Sequence, residues 1–347
     1  MHGTTTDPLT YPHPVTPKPG ELTEVAPGIL WLRLALPFQL NHVNIYLIEH
    51  KGGWAVVDTG IGTDQTKATW DAIFAGPLKG AKITQLIITH SHPDHIGLAG
   101  WLAERFHCPL AMTQTEYFHG LFHQTRRTEI QLQDQTEFYR IHGIGEEGIN
   151  ALLGRGSNYL TRTTGLPPKF FRIKDGDALN VGTRTFEAFT GGGHALEQMM
   201  LLSRADKLFL SADQVLSKIS PNVSVWAMEP DANSLGLYIE SLNRLARDIP
   251  DDVLVLPGHG VPFYGLKIRI QQLLDHHVER CGMIAKAAHE KPLTASDMVP
   301  LIFHRPLDAH QAGFATGEVI AHINYMVSRC ELIKETQADG VMRFKAA

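Results

Sequence analysis

The stretch THSHPDHIG, residues 89–97, carries three histidines and one aspartate within the six positions from His90 to His95. It overlaps LIITH (86–90), a short apolar run that predicts a buried β-strand. Such a density of imidazole and carboxylate groups suits Zn²⁺, Mn²⁺ or Fe, and the lack of cysteine argues against a closed structural zinc site. The stretch therefore predicts a metal site whose metals take part in chemistry.

The spacing within this stretch divides the ligands into two pairs. Residues two apart share one face of an extended chain, so His90 and His92 are expected to point the same way. The turn at Pro93 then lets Asp94 and His95 approach a neighbouring position. One loop can thus present two ligands to one metal and two to another.

Three later positions supply the ligands that this loop lacks. His194 follows the β-type run TFEAFT and three glycines, Asp213 ends the run KLFLSAD, and His259 comes at the end of VLVLPGHG. No Lys-Ser or Lys-Thr pair follows the glycines, which excludes a P-loop. We expect these glycines to give backbone room beside the metals.

The ordered set THSHPDH, GGGH, SAD and PGHG resembles the metallo-β-lactamase superfamily over residues 25–262. That resemblance implies an α+β fold, a four-layer αββα sandwich with the site at one edge between two sheets. It also implies two Zn²⁺ per chain, with Mn²⁺ or Fe as alternatives. The implied ligands are His90, His92 and His194 for the first metal, Asp94, His95 and His259 for the second, and Asp213 bridging both.

Two further features bear on this resemblance. The segment VVDTG (56–60) matches a family feature, which implies that Asp58 orients a ligand histidine. An alternative is that Asp58 only shapes the turn before Thr-Gly. Relatives often have Ser or Thr and then Pro-Gly after the third histidine, whereas this chain has Ala195-Leu196-Glu197-Gln198. That departure weakens any analogy of substrate.

Composition and the hydrophobic pattern along the chain predict three parts. Residues 1–24 are rich in Pro and Thr and predict an extended arm, and residues 25–262 form the catalytic domain with a helical insertion at about 115–170. Residues 263–347 predict mostly helices and a hairpin around Asp339-Gly340. This winged-helix-like end resembles that of superfamily members similar to β-lactamase-like protein 2, and the whole is also similar to glyoxalase II.

The overall composition limits the classes of partner that are expected. The 347 residues carry a net charge of -5, so nucleic acid and anionic membranes are not expected as partners. Three widely spaced cysteines, expected to be buried, predict no disulfide framework, and no secretory signal is evident, so a cytoplasmic location is expected. A small-molecule substrate is expected, and a homo-oligomer is compatible with the sequence.

The ligand set predicts hydrolysis. A hydroxide shared by two metals is a strong nucleophile, and Asp94 is the expected catalytic residue that passes a proton to the leaving atom. The sequence has no G-x-S-x-G elbow, so direct attack by water is expected. We expect a small ester, either a thioester such as an acyl-CoA or glutathione thioester, or a lactone. The alternative is a phosphodiesterase or ribonuclease that uses the same metals.

The sequence of the insertion does not identify the substrate. Its aromatic residues either line an apolar pocket or bury the face of a helical hairpin, and His119 and His123 are expected on a helix surface. A basic stretch without acidic residues either holds phosphates or is a solvated loop. The aromatic residues are Tyr117, Phe118, Phe122, Phe138 and Tyr139, and the basic ones are Arg155, Arg162, Lys169, Arg172 and Lys174.

Overall fold

The computed structural model describes residues 8–125, 128–154 and 159–347, without the side chains of residues 309 and 310. Arg155 of the basic stretch lies outside these residues, as do the first seven residues of the predicted arm. Within the described ranges, no helix is both long enough and apolar enough to cross a membrane.

The first sheet is a mixed sheet in which the strands lie in chain order. Its first four strands form an antiparallel meander, and the remaining pairs are parallel. The seven strands are β1 (Leu22–Ala26), β2 (Ile29–Ala35), β3 (His42–His50), β4 (Gly53–Val57), β5 (Ile83–Ile87), β6 (Leu110–Met112) and β7 (Phe171–Arg172).

The second sheet has the order β12-β11-β10-β9-β8. It is antiparallel except for the β11–β12 pair, which is parallel because the helix α7 (Ser234–Asp248) crosses over between these two strands. The five strands are β8 (Ala178–Val181), β9 (Arg184–Gly191), β10 (Gln198–Ser203), β11 (Leu208–Ala212) and β12 (Leu254–Pro257).

The remaining helices cover the outer faces of the sheets and form the insertion and the C-terminal region. The hairpin predicted around Asp339-Gly340 is present. The other elements are α1 (Asp64–Ala75), α2 (Pro93–Ile96), α3 (Ala99–Phe106), α4 (Gln114–His123), α5 (Glu129–Ile141), α6 (Glu146–Leu153), α8 (Leu266–Glu290), α9 (Ala295–Ile302), α10 (Ala309–Ser328), β13 (Leu332–Thr336) and β14 (Met342–Ala346).

Successive side chains of each strand point to opposite faces of the sheet, and the apolar ones form three cores. In β2, Trp31 faces the second sheet while its neighbour Leu32 faces α1 and α3, because successive side chains of a strand point to opposite sides. In β10, Leu201 faces the first sheet and Leu202 faces the helices on the far side. Burial on both faces of both sheets produces the αββα sandwich that was predicted.

The helical parts differ in their packing. The insertion predicted at about 115–170 contains α4, α5 and α6, and its last part, residues 159–170, is not helical. The helices α8, α9 and α10 pack with the β13–β14 hairpin and share one core with α7 and the second sheet. The domain boundary between residues 262 and 263 stays a prediction.

Two local predictions were wrong. The strand predicted over 86–90 ends at Ile87, because beyond it the Thr89 amide donates to Asp58 Oδ1 at 2.9 Å instead of continuing the ladder. The three cysteines are not all buried: Cys108 is buried, Cys281 is half-buried and Cys330 is exposed, and all are free thiols.

Candidate metal centre

The seven candidate ligands lie in loops that leave the ends of four strands. The loop after β5 carries His90 to His95, and His194 follows β9. Asp213 comes directly after β11, and His259 comes two residues after β12. Since these strand ends meet at one edge of the sandwich, residues separated by more than a hundred positions become neighbours.

The first group consists of His90, His92 and His194. One ring nitrogen from each lies within 4.8 Å of the others, a spacing that suits three ligands around one ion. Nε2 of His90 and Nδ1 of His92 are 2.9 Å apart, so these two histidines present different ring nitrogens. His90 is fully buried, whereas His92 and His194 are half-buried.

The second group consists of Asp94, His95 and His259, whose ligand atoms also lie within 4.8 Å of one another. Asp94 Oδ2 is 3.4 Å from Nε2 of His259 and 3.7 Å from Nε2 of His95. The Asp94 carboxylate is the more open member of this group, with 20% of its side chain exposed, whereas both histidines are nearly or fully enclosed.

Asp213 lies between the two groups. Its Oδ2 is 3.4 Å from Nε2 of His194 on one side, and on the other side it is 3.4 Å from Nε2 of His95 and 3.1 Å from Nε2 of His259. One carboxylate oxygen therefore faces imidazole nitrogens of both groups, which is the arrangement expected of a bridging ligand.

The unpaired atoms at this place fit a cation. Nε2 of His95, Nε2 of His194 and Oδ1 of Asp213 are buried and have no hydrogen-bond partner among the described residues. Buried polar atoms in folded proteins almost always have a partner, so such a cluster is suited to binding a cation. The backbone leaves little room to spare, since a Cβ at Gly258 would lie 2.1 Å from Asp213 Oδ1.

Three hydrogen bonds fix the ring orientation of the histidines. Nδ1 of His95 is 2.8 Å from Asp58 Oδ2, that of His194 is 2.8 Å from the Asn222 carbonyl, and that of His259 is 2.7 Å from the His42 carbonyl. When Nδ1 donates its hydrogen to these oxygens, the lone pair of Nε2 is free to bind a metal. Asp58 also adopts a positive φ of 63°, so the turn and the orienting contact occur together.

Burial and neighbouring charges shift the pKa values of different residues of the centre in opposite directions. Burial lowers the pKa of His95, but the Asp213, Asp94 and Asp58 carboxylates together raise it well above 6.5. Burial raises the pKa of Asp213, but the neighbouring imidazoles hold it well below the usual range. For His90, burial and the neighbouring rings lower the pKa well below 6.5, so this ring is neutral and ready to bind a cation.

Comparison with known proteins agrees with this geometry. The family model "Metallo-beta-lactamase superfamily" matches residues 39–259, which contain all seven candidate ligands. The chain belongs to the metallo-β-lactamase superfamily. A second model, "Metallo-beta-lactamase-like, C-terminal domain", matches residues 281–347.

Similar superfamily members extend over nearly the whole chain. A β-lactamase domain protein from Burkholderia ambifaria is 40% identical, with a TM-score of 0.91 and 98% of each chain covered. A metallo-β-lactamase family protein from Thermus thermophilus is 26% identical, with a TM-score of 0.78, covering 93% of this chain and all of that one. The probable metallo-hydrolase YqjP from Bacillus subtilis is 24% identical over 286 residues, which are 79% of this chain and 85% of YqjP. The chain is thus a metal-dependent hydrolase of this superfamily.

A polar network that the sequence did not predict supports the loop of this superfamily site. Glu116 is fully buried and accepts from the Ser91 amide at 2.8 Å, from the Ser91 hydroxyl at 2.6 Å and from the Glu197 amide at 2.8 Å. Because the Ser91 hydroxyl donates to Glu116, it accepts from His119 Nδ1 at 2.8 Å, and His119 Nε2 accepts from His123 at 2.9 Å. The two histidines expected on a helix surface therefore belong to the surroundings of the site.

The same network accounts for the unusual loop after His194. Glu197 binds the insertion through its amide, and its Oε2 also accepts from the Thr115 amide at 3.2 Å. The loop is thus tied to α4 where relatives often have Pro-Gly. The three glycines before His194 serve a different purpose from the one predicted, since a Cβ at Gly193 would lie 2.4 Å from Cβ of Tyr238. They allow close packing on α7.

A cavity of about 510 Å³ opens beside His92 and Pro93. Of the five aromatic residues considered for an apolar pocket, only two line it, whereas Tyr117 and Phe138 are buried in the cores. The described basic side chains of the basic stretch, Arg162, Lys169, Arg172 and Lys174, do not line it either. The lining residues are Ser91, His92, Pro93, His119, Phe122, His123, Thr125, Gln131, Asp134, Gln135, Tyr139, Tyr159, Trp226, Ala227, Met228 and Phe314.

Proposed function

We propose that the chain holds two divalent metal ions, zinc in the first instance, and hydrolyses a small ester-type substrate, a thioester or a lactone. The observation that carries this proposal is the position of Asp213 Oδ2, which lies within 3.4 Å of imidazole nitrogens from both ligand groups. A carboxylate held between two sets of ligands suits a pair of ions better than a single one. Mn²⁺ or Fe would fit the same nitrogen and oxygen ligands.

The residues of the chain contribute binding, orientation and proton transfer. A metal pair at this place would supply an activated water and a Lewis acid. His90, His92 and His194 would hold the first ion, and Asp94, His95 and His259 the second, with Asp213 shared. Asp94 is the most exposed member of the second group, so its carboxylate can reach the substrate, take up a proton from the attacking water and pass it to the leaving atom.

The surroundings of the centre favour an ester over a phosphodiester. The adjoining cavity has several aromatic side chains and no Lys or Arg among its described lining residues, which suits the organic part of an ester. Arg162 and Arg172, considered as phosphate ligands, lie away from it: Arg162 packs over the Phe38 ring at 4.6 Å, and Arg172 is exposed on β7. Nothing in the relatives named above favours the phosphodiesterase alternative. The three free, widely spaced cysteines are in keeping with a reducing cytoplasm.

A substrate panel tests this proposal. Metal-loaded and metal-stripped protein would be given a thioester, a lactone, a β-lactam and bis-p-nitrophenyl phosphate under the same conditions. We expect the thioester or the lactone to be hydrolysed fastest, and only by the metal-loaded protein. Hydrolysis of the phosphate ester alone would replace the proposed function with the alternative, and activity that survives complete removal of metal would overturn it.

A further inference from the structure

The cavity beside the metal centre continues directly from the ligand loop. Ser91, His92 and Pro93 contribute to its lining, so a molecule in the cavity reaches the first ligand group without crossing protein. Tyr159 closes this end, and its hydroxyl donates to the Ser91 carbonyl at 2.9 Å. The cavity therefore borders the first ligand group at His92.

Large apolar side chains from two distant parts of the chain face this cavity. Phe122 and Tyr139 come from the insertion helices α4 and α5, whereas Phe314 comes from α10 of the C-terminal region. Trp226 packs edge-on against Phe314, with ring centroids 5.8 Å apart. The insertion and the C-terminal region thus build one binding wall together.

These side chains are more exposed than apolar residues of their size usually are. Phe122 is 43% exposed, Trp226 45% and Met228 55%, although they belong to one concave surface. Scattered exposed apolar residues need no explanation, but a cluster around a cavity marks a place where an apolar ligand is bound. Covering these rings would remove apolar surface from water and so provide binding energy.

The charges at the cavity point to the same class of ligand. Among its described lining residues, the formal charge comes from the Asp134 carboxylate, and none of them is Lys or Arg. The lining histidines include His119, whose pKa burial lowers, so its ring is neutral. A carboxylate beside neutral and aromatic groups repels a phosphate and accommodates an uncharged hydrocarbon.

We propose that this cavity binds the acyl part of the substrate and that this acyl part is an apolar alkyl or aryl group. The inference rests on the proposed ester hydrolysis and narrows its substrate class. Phe122, Trp226 and Phe314 then determine specificity by the length of hydrocarbon that they cover. Each methylene group buried against them should strengthen transition-state binding about fourfold, until the cavity is full.

A series of thioesters tests the proposal. Acetyl, butanoyl, hexanoyl and octanoyl thioesters of N-acetylcysteamine share one leaving group, so kcat/KM reports the acyl part alone. We expect kcat/KM to rise about fourfold per methylene group along this series in the wild-type protein. Equal values across the series would overturn the proposal, even if every thioester is hydrolysed.

Variants of the lining residues test whether the preference for acyl chain length arises in the cavity. Phe122→Ala and Phe314→Ala should flatten the increase, because each removes a ring that covers the hydrocarbon. Ala227→Leu, which adds bulk to the lining, should move the preference to a shorter acyl group, a change that loss of folding cannot produce. Phe171→Ala is the matched control, because Phe171 is also exposed but lies outside the lining. A chain-length profile that is the same in all four variants as in the wild type would contradict the assignment.

A binding measurement separates this inference from the proposed function. Calorimetry with 1-octanol, an uncharged probe, on the metal-loaded protein reports the cavity without any turnover. Binding that weakens about tenfold in Phe314→Ala, in a protein that hydrolyses no ester, would keep the cavity and reject the ester hydrolase. Undetectable 1-octanol binding together with a flat thioester profile would reject the cavity and keep the hydrolase.

Discussion

The carboxylate of Asp58 joins two parts of the metal centre: its Oδ2 lies 2.8 Å from Nδ1 of His95, and the same oxygen accepts from the Thr89 hydroxyl at 2.9 Å. Oδ1 accepts from the Thr89 amide. One buried side chain therefore holds both the ring of His95 and the start of the ligand loop. The orientation of His95 depends on a residue that is not itself a candidate ligand.

Asp58→Ala should consequently weaken metal binding without removing any ligand. Loss of such an orienting partner typically costs about 10- to 100-fold in metal affinity. The dissociation constant for Zn²⁺, measured by competition with a chelator, checks this. Asp64→Ala, which changes an exposed aspartate at the start of α1, is the control. Equal affinities in the two variants would show that Asp58 only shapes its turn.

Gly258→Ala tests the space beside Asp213. The added Cβ would lie 2.1 Å from Asp213 Oδ1 and 3.0 Å from Cε1 of His95, so both side chains must move. We expect metal affinity to fall by about tenfold or more, as for other disturbances around ligands. Gly282→Ala is the control, since nothing lies within 4 Å of a Cβ at that position in α8. Unchanged metal content in Gly258→Ala would mean that this carboxylate need not be fixed.

Metal binding should release protons. The carboxylates around His95 and His259 raise the pKa of both rings above 6.5, so both bind protons in the metal-free protein near that pH. Because a metal displaces those protons, affinity should rise as pH increases above about 6.5 and fall as pH decreases. Calorimetric titration with Zn²⁺ in buffers of different ionisation enthalpy counts the protons. An affinity that does not vary between about pH 6.5 and 8 would contradict this account.

The C-terminal region should influence the metal site through Glu318. Its buried carboxyl lies against Arg280 and is 3.4 Å from Nδ2 of Asn222, whose carbonyl orients His194. Burial raises the pKa of Glu318 to about 7. Glu318→Ala should weaken Zn²⁺ binding by about tenfold, whereas Glu318→Gln keeps an acceptor for Asn222 and should stay nearer to the wild type.

A Co²⁺-substituted sample distinguishes positioning from general destabilisation by Glu318 variants. If Glu318 positions His194, the visible absorption bands of Co²⁺ should shift in Glu318→Ala and be restored in Glu318→Gln. If both variants merely lower Tm and leave the spectrum unchanged, Glu318 has only a structural role.

The candidate ligands could be proposed from the sequence because several are metal-binding residue types at or soon after the end of an apolar run. His90, Asp213 and His259 required no knowledge of distant contacts, only the order of strands and motifs. The αββα layers were predicted from the resemblance to the superfamily, and the apolar runs of β2 and β10 agree with burial on both faces of each sheet. Position along the chain was thus sufficient to propose these residues as candidate ligands.

The residues that hold the candidate ligands in place and line the cavity were not predictable in the same way. Asn222 contributes a backbone carbonyl, which every residue has, so no sequence pattern marks it. Glu116 and Ser91 meet only because α4 folds back over the ligand loop, 25 residues away. The cavity wall joins Phe122 to Phe314 across the insertion and the C-terminal region, and helical periodicity does not distinguish such residues from those that fill a core.

The metal content of Asp213→Ala tests the central claim most directly. The zinc per chain would be determined by inductively coupled plasma mass spectrometry in wild-type, Asp213→Ala, His92→Ala and His289→Ala protein, with thioester hydrolysis assayed on the same samples. His289 is an exposed histidine in the last turn of α8 and serves as the control. We predict two zinc ions per chain in the wild type and in His289→Ala, and loss of zinc and of hydrolysis in the other two variants. Full zinc content and full hydrolysis in both Asp213→Ala and His92→Ala would contradict the dinuclear centre.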